Sequence, residues 1–193
     1  MTIGVVSDTH GFFDPRLKKL LAGVETILHA GDVGSPEILY ELRQIAPVRA
    51  VRGNVDLPDL DLPLTLTARL GSVKIEMMHI LPVPQAELQA WSRGTTPGGR
   101  APERSRRLLA SLAESTGVVI FGHSHQPCLV NLGDRLFMNP GSAGRKRFSL
   151  PRTCGLLDLV PEGMQATILD LEGYNRRVLD AMRIGAEAEE PNP

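Results

Sequence analysis

Ile3-Gly4-Val5-Val6-Ser7-Asp8-Thr9-His10, answered a helix later by Thr26-Ile27-Leu28-His29-Ala30-Gly31-Asp32, sets the architecture of the chain. Each is a short apolar run that breaks off into polar, potentially ligating groups, the pattern of a buried strand opening into a loop. Between them Asp14-Pro15 leads into Leu17, Leu20 and Leu21, and Gly23 closes the run. Asp as N-cap, Pro at the first helical position and Gly past the end are helix punctuation. The unit then repeats. Ser35-Pro36 opens a second helix with apolar face Ile38, Leu39, Leu42 and Ile45, and Val48 to Val51 is a third strand stopped by Gly53-Asn54. Such alternation predicts an α/β fold whose first strands are parallel and joined by right-handed crossovers.

Further along the pattern loosens. Val73 to Ile80 alternates as a strand does, and residues 81 to 102, with Pro82, Pro84, Gly94, Pro97, Gly98 and Gly99, read as one long functional or mobile loop. A helix carrying Leu108, Leu109 and Leu112 follows, capped by Gly117, and then the strand Val118 to Phe121. The last third reads as antiparallel hairpins. Leu129-Val130 and Leu136 to Met138 flank Gly133-Asp134, while Leu156 to Val160 and Ala166 to Leu171 flank Pro161-Glu162-Gly163. A short helix is expected around Val178, Leu179 and Met182.

With 193 residues the chain can bury one sizeable core, so a single domain over residues 1–184 is expected, followed by an unstructured, acidic, proline-containing tail at 185–193. A net charge of −1 gives no indication of nucleic-acid binding. Cys128 and Cys154 lack metal-type spacing and read as buried, reduced thiols. Met1 runs straight into a strand, with no signal-peptide pattern, and no apolar run approaches the ~20 residues that span a membrane. The expectation is a cytoplasmic protein without membrane contact; a homo-oligomer is compatible with the sequence.

The strongest signal is positional. Five apolar strands each end in residues able to hold a metal: Asp8-Thr9-His10, Gly31-Asp32, Gly53-Asn54, His79, and Gly122-His123-Ser124-His125. In an open α/β sheet, ligands bind in the crevice beyond the carboxyl ends of the strands, so the five clusters should converge. Of the five histidines only His29, three residues before Asp32, falls within a strand, and it reads as a core or supporting side chain. Imidazole, carboxylate and amide oxygen together suit manganese, iron, zinc or similar ions rather than a thiolate-bound structural zinc. Two divalent ions set against Asp8 and Asp32 would retain positive charge for a phosphate, and a pair roughly 3.5–4 Å apart can clamp the attacking and leaving oxygens of an in-line displacement.

At these residues the sequence resembles the calcineurin-like metallophosphoesterase family, and more narrowly its small bacterial and archaeal phosphodiesterases. Asp8-Thr9-His10, Gly31-Asp32, Gly53-Asn54-Val55-Asp56, His79, Gly122-His123-Ser124-His125 and Asn139-Pro140-Gly141-Ser142 match in order over residues 7 to 142, and the Gly155-Leu156-Leu157-Asp158 strand also fits. The resemblance implies a four-layer αββα sandwich of two mixed sheets. It implies a dinuclear site, one ion held by Asp8, His10, Asp32 and His125 and the other by Asp32, Asn54, His79 and His123, with Asp32 bridging. It also implies a phosphodiesterase acting on a small phosphate ester, in which Asp8, His10, Asp32, Asn54 and His79 serve catalysis and a hydroxide bridging the ions attacks phosphorus. Manganese is the first expectation, with Fe, Zn, Ni, Co or Mg as alternatives.

Two departures from the family pattern bear on substrate class. Val55 stands where many phosphatases of the wider family carry histidine, and His79-Ile80-Leu81 replaces the usual His-Gly-His. The site thereby has two fewer cationic or proton-donating groups, which leans away from a phosphomonoesterase. Beside Asn54, the basic stretch Gly144-Arg145-Lys146-Arg147 offers Arg145 and Arg147 as substrate contacts, or simply a solvated loop. A catalytically weak interaction scaffold, like the phosphoesterase-fold subunit of the retromer coat, is the alternative of another class; the full set of expected ligands argues against it.

Overall fold

Alternating burial along the first strand explains the layering. The computed structural model describes residues 1–96, 100–147, 149–173 and 177–185. In β1 (Thr2–Val6), Ile3 and Val5 face one apolar cluster while Val6 faces another. Strand β2 (Thr26–His29) divides in the same way between Leu28 and Ile27. A strand buried on both faces needs cover on both. One face packs on a second sheet, where Ile75, Met77, Val118 and Ile120 meet Ile3, Val5 and Leu28. The other is covered by α1 (Arg16–Leu20) and α2 (Pro36–Arg43) through Leu17, Leu20, Ile38, Leu39 and Leu42.

The first sheet adds β3 (Val48–Ala50) parallel to β2, and on the far side of β1 the antiparallel β9 (Thr153–Val160), β10 (Gly163–Asp170) and β11 (Val178–Gly185). The second sheet runs β4 (Thr65–Leu70), β5 (Val73–Met78), β6 (Thr116–Ile120), β8 (Arg135–Asn139), β7 (Cys128–Leu132), parallel in its middle and antiparallel at both edges. Its outer face carries α3 (Gln85–Ser92) and α4 (Glu103–Ser111), with Leu88, Leu108 and Leu112 on Val119, Phe121 and Phe137. The molecule is therefore the expected αββα sandwich of two mixed sheets. Register then aligns the loops. Val6 pairs with His29 and His29 with Ala50, while Met77 pairs with Ile120 and Ile120 with Met138, so each parallel set ends level.

Several local expectations are corrected. Residues 81–102 are not one loop, because α3 occupies Gln85–Ser92; Leu88 is its one fully buried anchor, too little for an apolar stripe to be visible. The helix expected around Val178 to Met182 is β11, an edge strand in which only Met182 and Ile184 reach the inter-sheet core. Gly117 caps no helix and lies within β6. Pro15, not Asp14, is the N-cap of α1. Strand β4 was not foreseen, although Leu66, Ala68 and Leu70 turn inward at a period of two. Gly185 ends β11, and the rest of the expected tail lies outside the described residues. Among the described residues no helix is long and apolar enough to cross a membrane.

Candidate metal centre

Beyond the ends of β1 and β2 the chains stay zipped while their backbones turn over. The Asp8 N–H donates to Gly31 O at 3.0 Å, His10 N–H to Asp32 O at 2.9 Å and Gly11 N–H to Val33 O at 2.8 Å. Six described non-glycine residues have positive φ, and five are candidate ligands: Asp8 (54°), His10 (48°), Asp32 (52°), His123 (68°) and His125 (57°). A left-handed residue with a side chain costs roughly 1–2 kcal/mol, and such strain gathers where the surroundings over-determine a functional geometry. The loops also require two glycines for closeness. A Cβ at Gly53 would lie 2.0 Å from Asp32 Oδ1, and one at Gly122 would lie 2.1 Å from Ser7 Oγ.

The convergence read from the sequence yields two groups, Asp8 with His10 and His125, and Asp32 with His79 and His123. Within each, the ligating atoms lie within 4.8 Å of one another. In the first, His10 Nε2 and His125 Nε2 face each other at 3.1 Å, and His125 Nε2 lies 3.2 Å from Asp8 Oδ1. In the second, Asn54 Oδ1 stands 3.1 Å from His79 Nε2 and 2.9 Å from His123 Nδ1. Asp32 lies between the groups, its Oδ2 3.2 Å from His79 Nε2 and 3.8 Å from His10 Nε2.

These donors fit a cation. Asp8 Oδ1 is fully buried and makes no hydrogen bond, a costly state for a carboxylate oxygen unless a positive ion sits beside it. His79 Nδ1 lies 2.7 Å from the Ala30 carbonyl, so it carries the proton and Nε2 is turned toward Asp32 and Asn54. Burial alone would lower the His79 pKa, but the bond to Asp32, the Asp8 charge and the Ala30 carbonyl raise it. Burial likewise works against ionised Asp32, yet the His79 bond and the Val55 N–H hold its pKa down at about 2. A cation entering this group competes with a proton held between Asp32 and His79. In the first group burial, then the Arg147 charge, lowers His10 despite Asp32 and Asp8, keeping a neutral imidazole available.

His29 is a supporting residue. It is completely buried, and burial pushes its pKa down to about 4. Its Nδ1 accepts from Gly31 N–H at 3.2 Å, so Nε2 donates to Thr9 Oγ1 at 2.9 Å, and Thr9 donates to Val33 O. Arg145 and Arg147 are both exposed; the Arg145 guanidinium lies 4.8 Å from the Phe12 ring, and Arg147 is near enough for its charge to be felt at His10. Leu81, at the position of the absent histidine, is buried in the outer core.

Sequence reasoning gave no role to the residues that fasten these loops. Asp56 accepts from the N–H groups of Val33, Gly34 and Gly53 at 3.1, 2.7 and 2.8 Å, locking the Asp32 loop to the Asn54 loop. A carboxylate two residues after Asn54 was the available signal. Ser142 Oγ donates to Asp8 O at 2.8 Å, and Asn139 Nδ2 to Gly122 O at 3.0 Å, so the Asn-Pro-Gly-Ser element braces both ligand loops.

The chain resembles known proteins in sequence and in fold. The calcineurin-like phosphoesterase superfamily domain matches residues 1–162, and the chain belongs to that family of metal-dependent phosphoester hydrolases. A probable metallophosphoesterase of Methanothermobacter thermautotrophicus is 34% identical, over 78% of this chain and 82% of its own. A phosphodiesterase of Methanocaldococcus jannaschii is 27% identical over 88% of this chain and 100% of its own. Among solved structures, Entamoeba histolytica Vps29 complexed with zinc superposes with a TM-score of 0.66 at 23% identity, covering 96% of this chain and 99% of that one; the likeness is one of fold.

Proposed function

We propose that the chain is a phosphodiesterase that works with two divalent ions, one held by Asp8, His10, Asp32 and His125 and the other by Asp32, Asn54, His79 and His123. The observation that carries this reading is the doubling itself: two groups of three candidate ligands lie side by side, with the low-pKa Asp32 carboxylate 3.2 Å from His79 in one and 3.8 Å from His10 in the other. The phosphodiesterase among the relatives supports the same substrate class. When bound, such ions supply a water made nucleophilic at neutral pH and positive charge for the phosphate oxygens. The chain's residues set the stage for that chemistry. Ala30 O orients His79, Asn54 Oδ1 stands between His79 and His123, and Arg145 and Arg147 offer guanidinium groups at the rim for a phosphate oxygen. Imidazole, carboxylate and amide oxygen together suit manganese, iron or zinc, and manganese is the first ion to test.

Val55 and Leu81 supply no proton and no charge, so a diester, with one negative charge, suits the site better than a monoester with close to two. The test is hydrolysis of an activated aryl phosphodiester and its matching monoester by metal-free protein reloaded with Mn²⁺. The expected result is higher kcat/KM for the diester and loss of both activities on chelation; preference for the monoester overturns the reading. A scaffold on this fold draws support from the likeness to Vps29, which in that structure also carries zinc, so the hydrolysis assay rather than metal binding separates the two readings: a scaffold turns over neither ester.

A further inference from the structure

We propose that the two ester arms of the substrate are read by two apolar pockets divided by a ridge of Ile80 and Pro82, which selects phosphodiesters bulky and apolar on both sides. This rests on the phosphodiesterase reading and deepens it. One pocket, of about 500 Å³, is lined by Leu81, Val83, Pro84, Phe121 and His123. The other, of about 390 Å³, is lined by Leu64, Thr65, Met78, Asn54 and His79. Ile80 and Pro82 line both. Because His123 belongs to one wall, and Asn54 and His79 to the other, both pockets adjoin the same ligand group. A phosphorus held there has a pocket on either side.

The walls are mostly carbon, and Arg52, at the smaller pocket, is the one Lys, Arg, Asp or Glu among the lining residues. At the larger pocket the polar side chains are already engaged: Ser124 Oγ donates to Gln85 Oε1 at 2.9 Å, Asn139 Nδ2 donates to the same oxygen at 3.1 Å, and Gln85 Nε2 donates to Gln126 O at 3.2 Å. An apolar arm entering there strands none of these groups. On the rim, Ile80 is 49% and Leu64 63% exposed, large apolar side chains left in water beside the site. Each volume falls within the range of small-molecule sites. A monoester has one arm and fills one pocket, so this favours diesters independently of the charge argument.

The experiment compares 4-nitrophenyl methyl phosphate with 4-nitrophenyl 2-phenylethyl phosphate, which share a leaving group, on the Mn²⁺-loaded protein. The phenylethyl ester should have at least about tenfold higher kcat/KM, since even one methylene in an apolar pocket is worth roughly 10-fold or more. Ile80→Ser and Leu64→Ser should each pull that ratio toward one; Leu64, being well exposed, tolerates the change without threat to the fold. A wild-type ratio near one, with both esters hydrolysed, overturns the two-pocket inference and leaves the phosphodiesterase reading standing. A ratio unchanged in both variants does the same. Hydrolysis of neither ester, with Mn²⁺ or any other divalent ion, overturns both.

Discussion

The two ligand groups use the same kinds of side chain and are held in opposite ways. Asp8, His10 and His125 form the closed group. Asp8 is fully buried, its carbonyl takes the Ser142 hydroxyl and the Gly144 N–H, and behind that loop Arg152 binds Asp14 and the carbonyls of Ala143 and Gly144. Asp32, His79 and His123 form the open group. Its His123 is exposed, and an apolar pocket lies on each side. The closed group is fastened from behind by the polypeptide, whereas the open group is fastened underneath and left free toward substrate. On the two-pocket proposal, anchoring falls to the first and selection to the second.

Removing the residue shared by both groups should erase the distinction. Asp32→Ala is expected to lower kcat/KM by at least ~10³-fold, about 4 kcal/mol of transition-state stabilisation, with bound metal below two per chain by elemental analysis and an unchanged circular dichroism spectrum. An unfolded variant would instead make Asp32 structural. Asp56→Ala separates the groups. It deprives three N–H groups of a buried carboxylate, and a loss of about 3 kcal/mol by urea denaturation is expected. Because Asp56 holds the Asn54 loop as well as the loop of the shared Asp32, metal titration should show the site that includes Asn54 weakened more than the other; equal weakening of both would contradict the division.

The closed side has its own weak point, and it is sensitive to acid. Burial opposes an ionised Asp14, but Arg16 and Arg152 outweigh it and bring the pKa from 3.8 down to about 2. A depressed carboxylate contributes stability that is fully present above its unfolded pKa and lost as pH falls through the folded value. Asp14→Asn should therefore cost about 2 kcal/mol at pH 6, with the gap from wild type closing between pH 4 and 2. Urea midpoints across that window give the answer, and a gap constant with pH would show that the carboxylate charge is not what holds Arg152.

What was legible in the sequence follows the same line. Asp8, His10, Asp32, Asn54, His79, His123 and His125 stood out because each follows an apolar strand, and strand ends are visible in hydrophobic pattern alone. The fasteners were given no role, although Asp56 and Ser142 lie within the matched motifs. Asp56 and Ser142 act by bonding to backbone groups remote in sequence, and Arg152 by joining nearby carbonyls to the remote Asp14 carboxylate; no periodicity encodes which group a side chain will meet. The elements misread were marginal in the same physical sense. Helix α3 has one fully buried anchor, and β11 shows its alternation only at Met182 and Ile184, so neither carries an apolar pattern long enough to declare itself.

The smallest expected effect probes the open group most directly. Val55 is 53% exposed, and its N–H donates to Asp32 Oδ1 at 3.0 Å, so its backbone is fixed at the site while its side chain has room to change. Val55→His places an imidazole beside Asn54 without disturbing that bond. A partly protonated imidazole adds positive charge and a proton donor, and both help a monoester more than a diester: the monoester brings nearly one additional negative charge. The monoester-to-diester ratio of kcat/KM should rise by roughly tenfold, about 1.4 kcal/mol, with metal content unchanged. The gain should fade as pH rises through the imidazole pKa, because the neutral ring offers no charge. Measuring both esters on both proteins at one metal concentration and several pH values decides it. An unchanged ratio would mean that the pockets, not the charge at position 55, govern substrate class.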